Sequence, residues 1–419
     1  MKNKFLFLSL FLVLTVFSAL LTNCKDEDDP TPLTLVSLTA GDIDLNGATA
    51  ATTVPVEPVI VATFSTNIDA STATATNIKL ERIFDNADAA ITVTTVGNVI
   101  TITPNDELYG GANYELSVGT GLKSTDGLAI PAFTRSFTTI GSFVPSGQLA
   151  YWNFEDNADD QVGTWNPKAD GVVAISYVSS RNTAAGKAAE FNGTTSIIEY
   201  ANADELVTTS SFSLSFWLKA TDAGHGHFVM GLGAFYGLKI ELASDFKWFV
   251  ANNGWHFSND LTRGIADLDY NGDGMTKDNG GFRATTVNVA NTAVDALIED
   301  TWAHIVYTFN SATKERSLYL NGTLVKRQDF NLYIADDGVT PWDEYYIDGL
   351  RYIGQEPTVL NELAFGFIKS RGGTMGDTDT WADYSNVANN HLKGQLDDVR
   401  IFHKALTDDE IDLMYNSEN

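Results

Sequence analysis

The sequence predicts an all-β protein of more than one domain, and three observations carry that prediction. Apolar and polar residues alternate with period two along much of the chain, as in Phe212-Ser-Leu-Ser-Phe-Trp217-Leu-Lys-Ala220, and no stretch sustains a 3.6-residue period. Glycine is frequent at 34 and proline modest at 10, which suits many short strands joined by turns. From Thr301 to Phe330, two alternating runs parted by Asn310, Ser311 and Ala312 read as antiparallel strands, and Asn321-Gly322 then marks a two-residue turn. A type I′ turn needs φ > 0 at both central residues, which is why Asn-Gly between apolar runs is a strong hairpin signal. At 419 residues the chain exceeds one ordinary core, so two or more domains are expected.

In chain order, Lys2 and Lys4 precede an apolar or hydroxylic run from Phe5 to Leu21, the layout of a secretory signal over residues 1–23. The run ends in Leu21-Thr22-Asn23-Cys24, and Cys24 is the only cysteine, so no intramolecular disulfide can form. This ending resembles a bacterial lipobox, which implies acylation of Cys24; Asn23 departs from the small residue usual there. The alternatives are a plain signal peptide or a short membrane anchor. Several acyl chains would hold the protein stably, since each buried methylene adds roughly 0.8 kcal/mol and a single chain is marginal. Residues 24–32 form an acidic tether, Lys25-Asp26-Glu27-Asp28-Asp29 followed by Pro30-Thr31-Pro32. Its acidic run resembles the export tag of Bacteroidota surface lipoproteins, which implies outer-membrane anchoring with exposure at the cell surface.

Residues 33–140 carry strand signals at Val59 to Ser65, Ala90 to Thr95, Val99 to Thr103 and Tyr114 to Val118. With Asp126-Gly127-Leu128 and the closing Arg135-Ser-Phe137-Thr-Thr139, this segment resembles the bacterial Ig-like domains of surface proteins, β-sandwiches that serve as spacers. Residues 141–146 read as a linker.

From 147 to 419 the order of elements is Tyr151-Trp-Asn-Phe154, Phe191-Asn-Gly193, the Trp217 strand, Trp302, Tyr319-Leu-Asn-Gly322 and Leu396-Asp-Asp-Val-Arg-Ile401. That order resembles the laminin G-like, concanavalin A-like jelly-roll family of secreted bacterial proteins. The resemblance implies a jelly-roll sandwich and carbohydrate binding. Two stretches, roughly 222–298 and 356–390, read as long insertions into it. Thr407-Asp-Asp-Glu410 is a capping box that opens a short terminal helix.

Acidic residues number 54 against 26 basic, a net charge of −28 that argues against nucleic acid and leaves neutral sugars or divalent cations as compatible partners. Calcium is the expected cofactor, because Asp267, Asp269, Asn271, Asp273 and Asp278 stand at spacings that converge hard oxygen ligands where a loop curls at glycine. A solvated acidic turn is the plainer alternative. Asp397 and Asp398 adjoin a strand that in the resembled family helps hold a second calcium with acids near the first strand, here Glu155, Asp156, Asp159 or Asp160. Alternation lets only one of two adjacent residues face inward.

Flat apolar faces with planar polar groups beside them suit sugar binding. Trp342 with Tyr346, Trp381, and Trp255 meet that description, whereas Trp217 and Trp302 read as packing residues. The paired carboxylates that glucanases of this class carry on one strand occur nowhere here in a strand-like run. His225-Gly-His227 lacks a third His or Cys nearby, and no Gly-x-Ser-x-Gly elbow is present. The reading is therefore a glycan-capturing surface lipoprotein, with outer-membrane uptake proteins as expected partners. Its rivals are a hydrolase or lyase with acids drawn from different loops, and an adhesin or structural surface protein whose jelly roll binds protein.

Overall fold

The computed structural model describes residues 31–233, 237–258, 262–264, 267–270, 294–332, 347–354, 360–372 and 380–419. It divides at residue 140 into two units, Met1–Ile140 and Gly141–Asn419. Cys24 and the acidic run after it lie outside the described residues.

The first unit has ten strands: β1 (Leu35–Ala40), β2 (Ile43–Asp44), β3 (Ala51–Val54), β4 (Ile60–Phe64), β5 (Ile78–Arg82), β6 (Ala87–Ala89), β7 (Ile91–Val96), β8 (Val99–Pro104), β9 (Asn113–Val118) and β10 (Phe133–Thr139). They form two sheets, ordered β2-β1-β4-β8-β7 and β3-β10-β9-β5-β6. Alternation decides which side chains are buried. Ile60, Ala62, Phe64, Ile100 and Ile102 fill the core from one sheet, and Leu80, Tyr114, Leu116 and Phe137 from the other.

The second unit begins with β11 (Gln148–Trp152), β12 (Val172–Val173), β13 (Ser176–Ser179), β14 (Lys187–Asn192), β15 (Ile197–Tyr200) and β16 (Phe212–Ala220). It continues with β17 (His227–Leu232), β18 (Lys239–Leu242), β19 (Phe249–Asn252), β20 (Gly254–Phe257), β21 (Thr262–Gly264) and β22 (Leu268–Tyr270). After a short helix, α1 (Val294–Ile298), come β23 (Ala303–Asn310), β24 (Glu315–Leu320), β25 (Thr323–Asp329), β26 (Ile347–Leu350), β27 (Leu363–Phe365), β28 (Lys393–Phe402) and the closing helix α2 (Asp408–Glu418).

One sheet of this unit runs β13-β14-β28-β16-β23-β24-β25 with β11 beside β28, and the facing sheet runs β12-β15-β27-β17-β18-β19-β22. Between them Trp152, Leu214, Phe216, Met230, Ile305 and Phe365 form one core. Asn321 and Gly322 have φ of 50° and 73°, the pair of positive values that a two-residue hairpin between β24 and β25 needs. The stretch 222–298, expected to be an insertion, instead supplies β17, β18, β19 and β22, four strands of the second sheet. β17, β18 and β19 pair in chain order with no Asn-Gly turn between them, and β22 joins β19 across β20 and β21, so local pattern did not reveal these short strands. Likewise β27, inside the second expected insertion, pairs with both β15 and β17.

The first sheet has its outer side closed by α2. Thr407 caps this helix by accepting from the Glu410 N–H, while the Glu410 side chain accepts from the Thr407 N–H, a reciprocal cap that stabilises the helix by about 1 kcal/mol. Alternation along β16 turns Trp217 outward, where its ring lies 5.9 Å from that of Tyr415 on α2 and 5.0 Å from His304. Every residue of β16 except Lys219 is buried for this reason, with the facing sheet on one side and α2 on the other. Trp302, expected in the core, is only half-buried; among the described residues the fully buried tryptophans are Trp152, Trp217 and Trp255.

Candidate functional site

With α2 over one side of the sandwich, the outer side of the facing sheet is where function is to be sought. Cross-strand partners share a side, so the register Gly231↔Lys239↔Asn252 and Ala251↔Leu268 places Lys239, Asn252 and Asp267 in one row. A second row two residues along holds Glu241, Val250 and Asp269. Their neighbours Ile240, Leu242, Phe249, Ala251, Leu268 and Tyr270 point the other way into the core.

Charge in these rows is predominantly negative. The Lys239 ammonium sits 2.9 Å from Asp267 and 3.2 Å from Glu241, itself almost wholly buried, while Glu241 keeps 26% and Asp267 35% of its side chain exposed. Burial pushes the Glu241 carboxyl above its usual range, against the opposing pull of Lys239. Asp269 is also raised, first by burial and then by the neighbouring Asp267 charge. Lys239 thus lies against Glu241 and Asp267, Asp269 feels Lys326 as well as Lys239, and Glu241 and Asp269 hold their protons more tightly than free acids do.

Asn252 connects these rows to the interior. Its amide donates to Asp267 at 3.0 Å, and its oxygen accepts from Trp255 Nε1 at 3.2 Å and from Arg316 at 3.2 Å. Arg316 is fully buried, donates to Gln328 at 2.6 Å, and lies 5.6 Å from the Trp255 ring centre. Gln328 Nε2 and both side-chain polar atoms of Asn253 have no hydrogen-bond partner among the described residues. Buried polar groups of this kind need partners, so this end of the sandwich has unused hydrogen-bonding capacity.

Trp255 is not a sugar platform. It is fully buried, packed edge-on against Phe309 at 4.9 Å and Phe330 at 5.1 Å, because β20 turns it into the core. Asp267 and Asp269 come together beside Lys239, whereas Asn271, Asp273 and Asp278 lie outside the described residues, as do Trp342 and Tyr346. Trp381 stands in a single 3-10 turn, Thr380–Ala382. Among the described residues no group of three or more His, Cys, Asp or Glu side chains is placed to hold a metal ion.

Asp397 and Asp398 both point into the protein, contrary to the expectation that only one of them could. Asp398 has φ of 46°, and the β16 pairing slips between Ser215↔Arg400 and Trp217↔Asp397, a bulge that turns consecutive side chains the same way. Two guanidiniums meet them. Arg181 pairs with Asp397 at 2.7 Å and Asp398 at 2.6 Å, and Arg400 with Glu418 at 2.7 Å and Asp398 at 3.3 Å. Three carboxylates thus face two arginines, and burial favours a neutral sum, which keeps a proton in the cluster: burial and then the Asp398 charge push the Asp397 carboxyl up. Arg181 also lies 4.4 Å above Trp217, and sequence reasoning missed it because Ser180-Arg181-Asn182 belongs to no recognisable pattern.

Comparison with known proteins agrees with this architecture. Residues 29–139 match the family model of the bacterial Ig-like domain, and residues 192–350 match that of the concanavalin A-like lectin/glucanases superfamily. The chain accordingly carries an N-terminal Ig-like domain followed by a concanavalin A-like domain. No curated protein matches it. Similar solved structures include the binding domain of Paraclostridial Mosquitocidal Protein 1, with a TM-score of 0.40, 18% identity and coverage of 65% of this chain and 52% of that one. Another is the botulinum neurotoxin serotype D binding domain, with a TM-score of 0.39, 14% identity and coverage of 65% and 52%. A third is the serotype D ligand binding domain in complex with N-acetylneuraminic acid, with a TM-score of 0.38, 14% identity and coverage of 65% and 51%. The match spans about half the length of each of those chains.

Proposed function

We propose that this protein is a lipid-anchored surface protein whose concanavalin A-like domain captures carbohydrate on the outer side of its second sheet, with the Ig-like domain as spacer. The observation that carries the reading is the pair of rows Lys239, Asn252, Asp267 and Glu241, Asp269, in which a buried ammonium and an engaged amide hold partly exposed carboxylates on the side α2 leaves uncovered. Sugar hydroxyls donate to planar carboxylate acceptors, so a row of acids fixed in place by their neighbours suits them. The acidic chain, at −28, favours a neutral glycan over an anionic one.

Anchoring rests on the sequence around Cys24, as does delivery of the captured glycan to outer-membrane uptake proteins. Calcium belongs to the same reading: Asp269, Asn271 and Asp273 would supply its carboxylate and amide oxygens, while Asp267 is engaged by Lys239 and Asn252. A glycan array tests the proposal. The protein should bind a defined set of neutral glycans, and Glu241→Gln with Asp269→Asn should abolish that set; an array blank for the wild type would overturn it.

A second reading, glycoside hydrolysis, is favoured by one observation. Glu241 and Asp269 stand on a common row with one strand between them, a backbone separation of roughly 10 Å, and both hold their protons more tightly than usual. General acid catalysis needs such a carboxyl. Release of reducing sugar by the wild type and its loss in Glu241→Gln would establish that reading over capture alone.

A further inference from the structure

Away from the sheet face, a cleft of about 730 Å³ opens beside β11 and β28, lined by Tyr151, Asn153, Glu155, Thr183, Ala184 and Arg400 among others. Its volume suits two or three sugar rings, within the range of about 300–1,000 Å³ typical of ligand sites. Its floor is held rigid. The Tyr151 hydroxyl donates to Asp398 at 2.5 Å, and the Arg400 guanidinium lies 4.7 Å from the Tyr151 ring centre. Burial keeps that phenol protonated. The charges below are matched among themselves through Arg181, Arg400, Asp398 and Glu418, so the floor offers no free charge to an ion.

The rim differs from the floor. Glu155 is exposed, and one of its carboxylate oxygens accepts from the Lys187 N–H at 2.7 Å, which fixes the group across Gly186. A Cβ at Gly186 would come within 2.1 Å of Glu155 Oε1, so only glycine leaves room for this arrangement. The Asn182 oxygen accepts from the Ala185 N–H at 2.9 Å and holds the loop that bears Thr183 and Ala184.

The geometry points to a second carbohydrate subsite in this cleft, in which Tyr151 is the apolar platform, Glu155 and Asn153 accept and donate to hydroxyls, and the ligand is a neutral oligosaccharide. An anion is disfavoured by Glu155, and the floor, whose charges are already matched, has none to spare for a bare ion. A preordered aromatic with fixed acceptors beside it loses little conformational freedom on binding. The inference extends the carbohydrate reading of the sheet face and rests on it for ligand class, not for location.

Isothermal titration of the full chain with cellotetraose, laminaritetraose, maltotetraose and mannotetraose tests it. Ala184→Trp fills the cleft from an exposed position and leaves the charged floor intact, so the fold is retained and its melting temperature reports that. The expected result is two binding events in the wild type. Ala184→Trp should weaken one at least tenfold, and Glu241→Gln with Asp269→Asn should remove the other. A single event abolished by the sheet-face variants and untouched by Ala184→Trp overturns the cleft subsite while leaving the sheet-face reading standing. Binding lost in Ala184→Trp alone, with the sheet-face variants unchanged, supports the cleft and overturns the sheet face. No heat from any sugar overturns both.

Discussion

The indole N–H of Trp217 donates to Glu418 across 2.8 Å, joining the middle of β16 to the last turn of α2, 201 residues away. The same Glu418 pairs with Arg400, so the helix is fastened to the sheet by a buried ionic cluster as well as by ring packing.

Arg400 is the residue whose loss this cluster tolerates least. It is 3% exposed and faces both Asp398 and Glu418. Breaking a buried pair by removing one partner leaves an uncompensated charge and costs about 3–5 kcal/mol. Arg400→Leu should therefore lower the unfolding free energy of the second unit, read from a urea titration, by that much, whereas the paired change Arg400→Leu with Glu418→Leu should recover a good part of it. Equal loss in the single and double variants would show that the ionic cluster is not coupled.

The same cluster makes stability depend on pH. Burial and the Asp398 charge push the Asp397 carboxyl up to about 8. Between the ordinary carboxylate range and pH 8 the folded state holds a proton that the unfolded chain has released, so stability falls as pH rises through this window. On the acid side burial lowers His227 to about 4 and His304 to about 3. Below the usual histidine range the unfolded chain binds protons these rings refuse, so stability falls again as pH drops from about 6.5. Denaturant melts across pH 4–9 should show a maximum between the two limbs, and Asp397→Asn should flatten the alkaline one.

Packing separates the tryptophans. Trp255 is fully buried among Phe309 and Phe330, and removing such a side chain costs about 3–5 kcal/mol through the cavity left behind. Trp302 is half-buried, so Trp302→Ala should cost less than Trp255→Ala in the same urea titration. The reverse order would contradict the placement of these two rings.

Much of this fold can be read in the sequence. Asn321-Gly322 announces the β24–β25 hairpin, Thr407 and Glu410 announce α2, and alternation from Phe212 to Ala220 announces β16, because each depends on residues close in the chain. What eludes local reading is set by distant partners. Leu268–Tyr270 becomes a strand only beside Phe249–Ala251, and Lys239 finds Asp267 only through that pairing. Asp397 and Asp398 share a side because of one positive φ at Asp398, a conformation no alternation pattern signals in a non-glycine residue.

Calcium and anchoring are tested separately from the fold. If Asp269, Asn271 and Asp273 hold calcium, a chelator should lower the melting temperature, by the equivalent of about 2.7 kcal/mol where calcium stood at a hundredfold excess over its dissociation constant. Asp273→Ala should remove that response; a response unchanged in this variant would place the ion elsewhere. Cys24→Ser should release the protein from the membrane fraction or leave its precursor uncut, and normal membrane retention of the mature variant would contradict lipid anchoring.

The central claim is carbohydrate capture on the outer side of the second sheet, and affinity gel electrophoresis with neutral polysaccharides measures it most directly. Wild-type protein should be retarded by at least one of them, and Glu241→Gln should migrate as if the polysaccharide were absent while melting within a few degrees of wild type. Retardation that is undiminished in that variant would contradict the account.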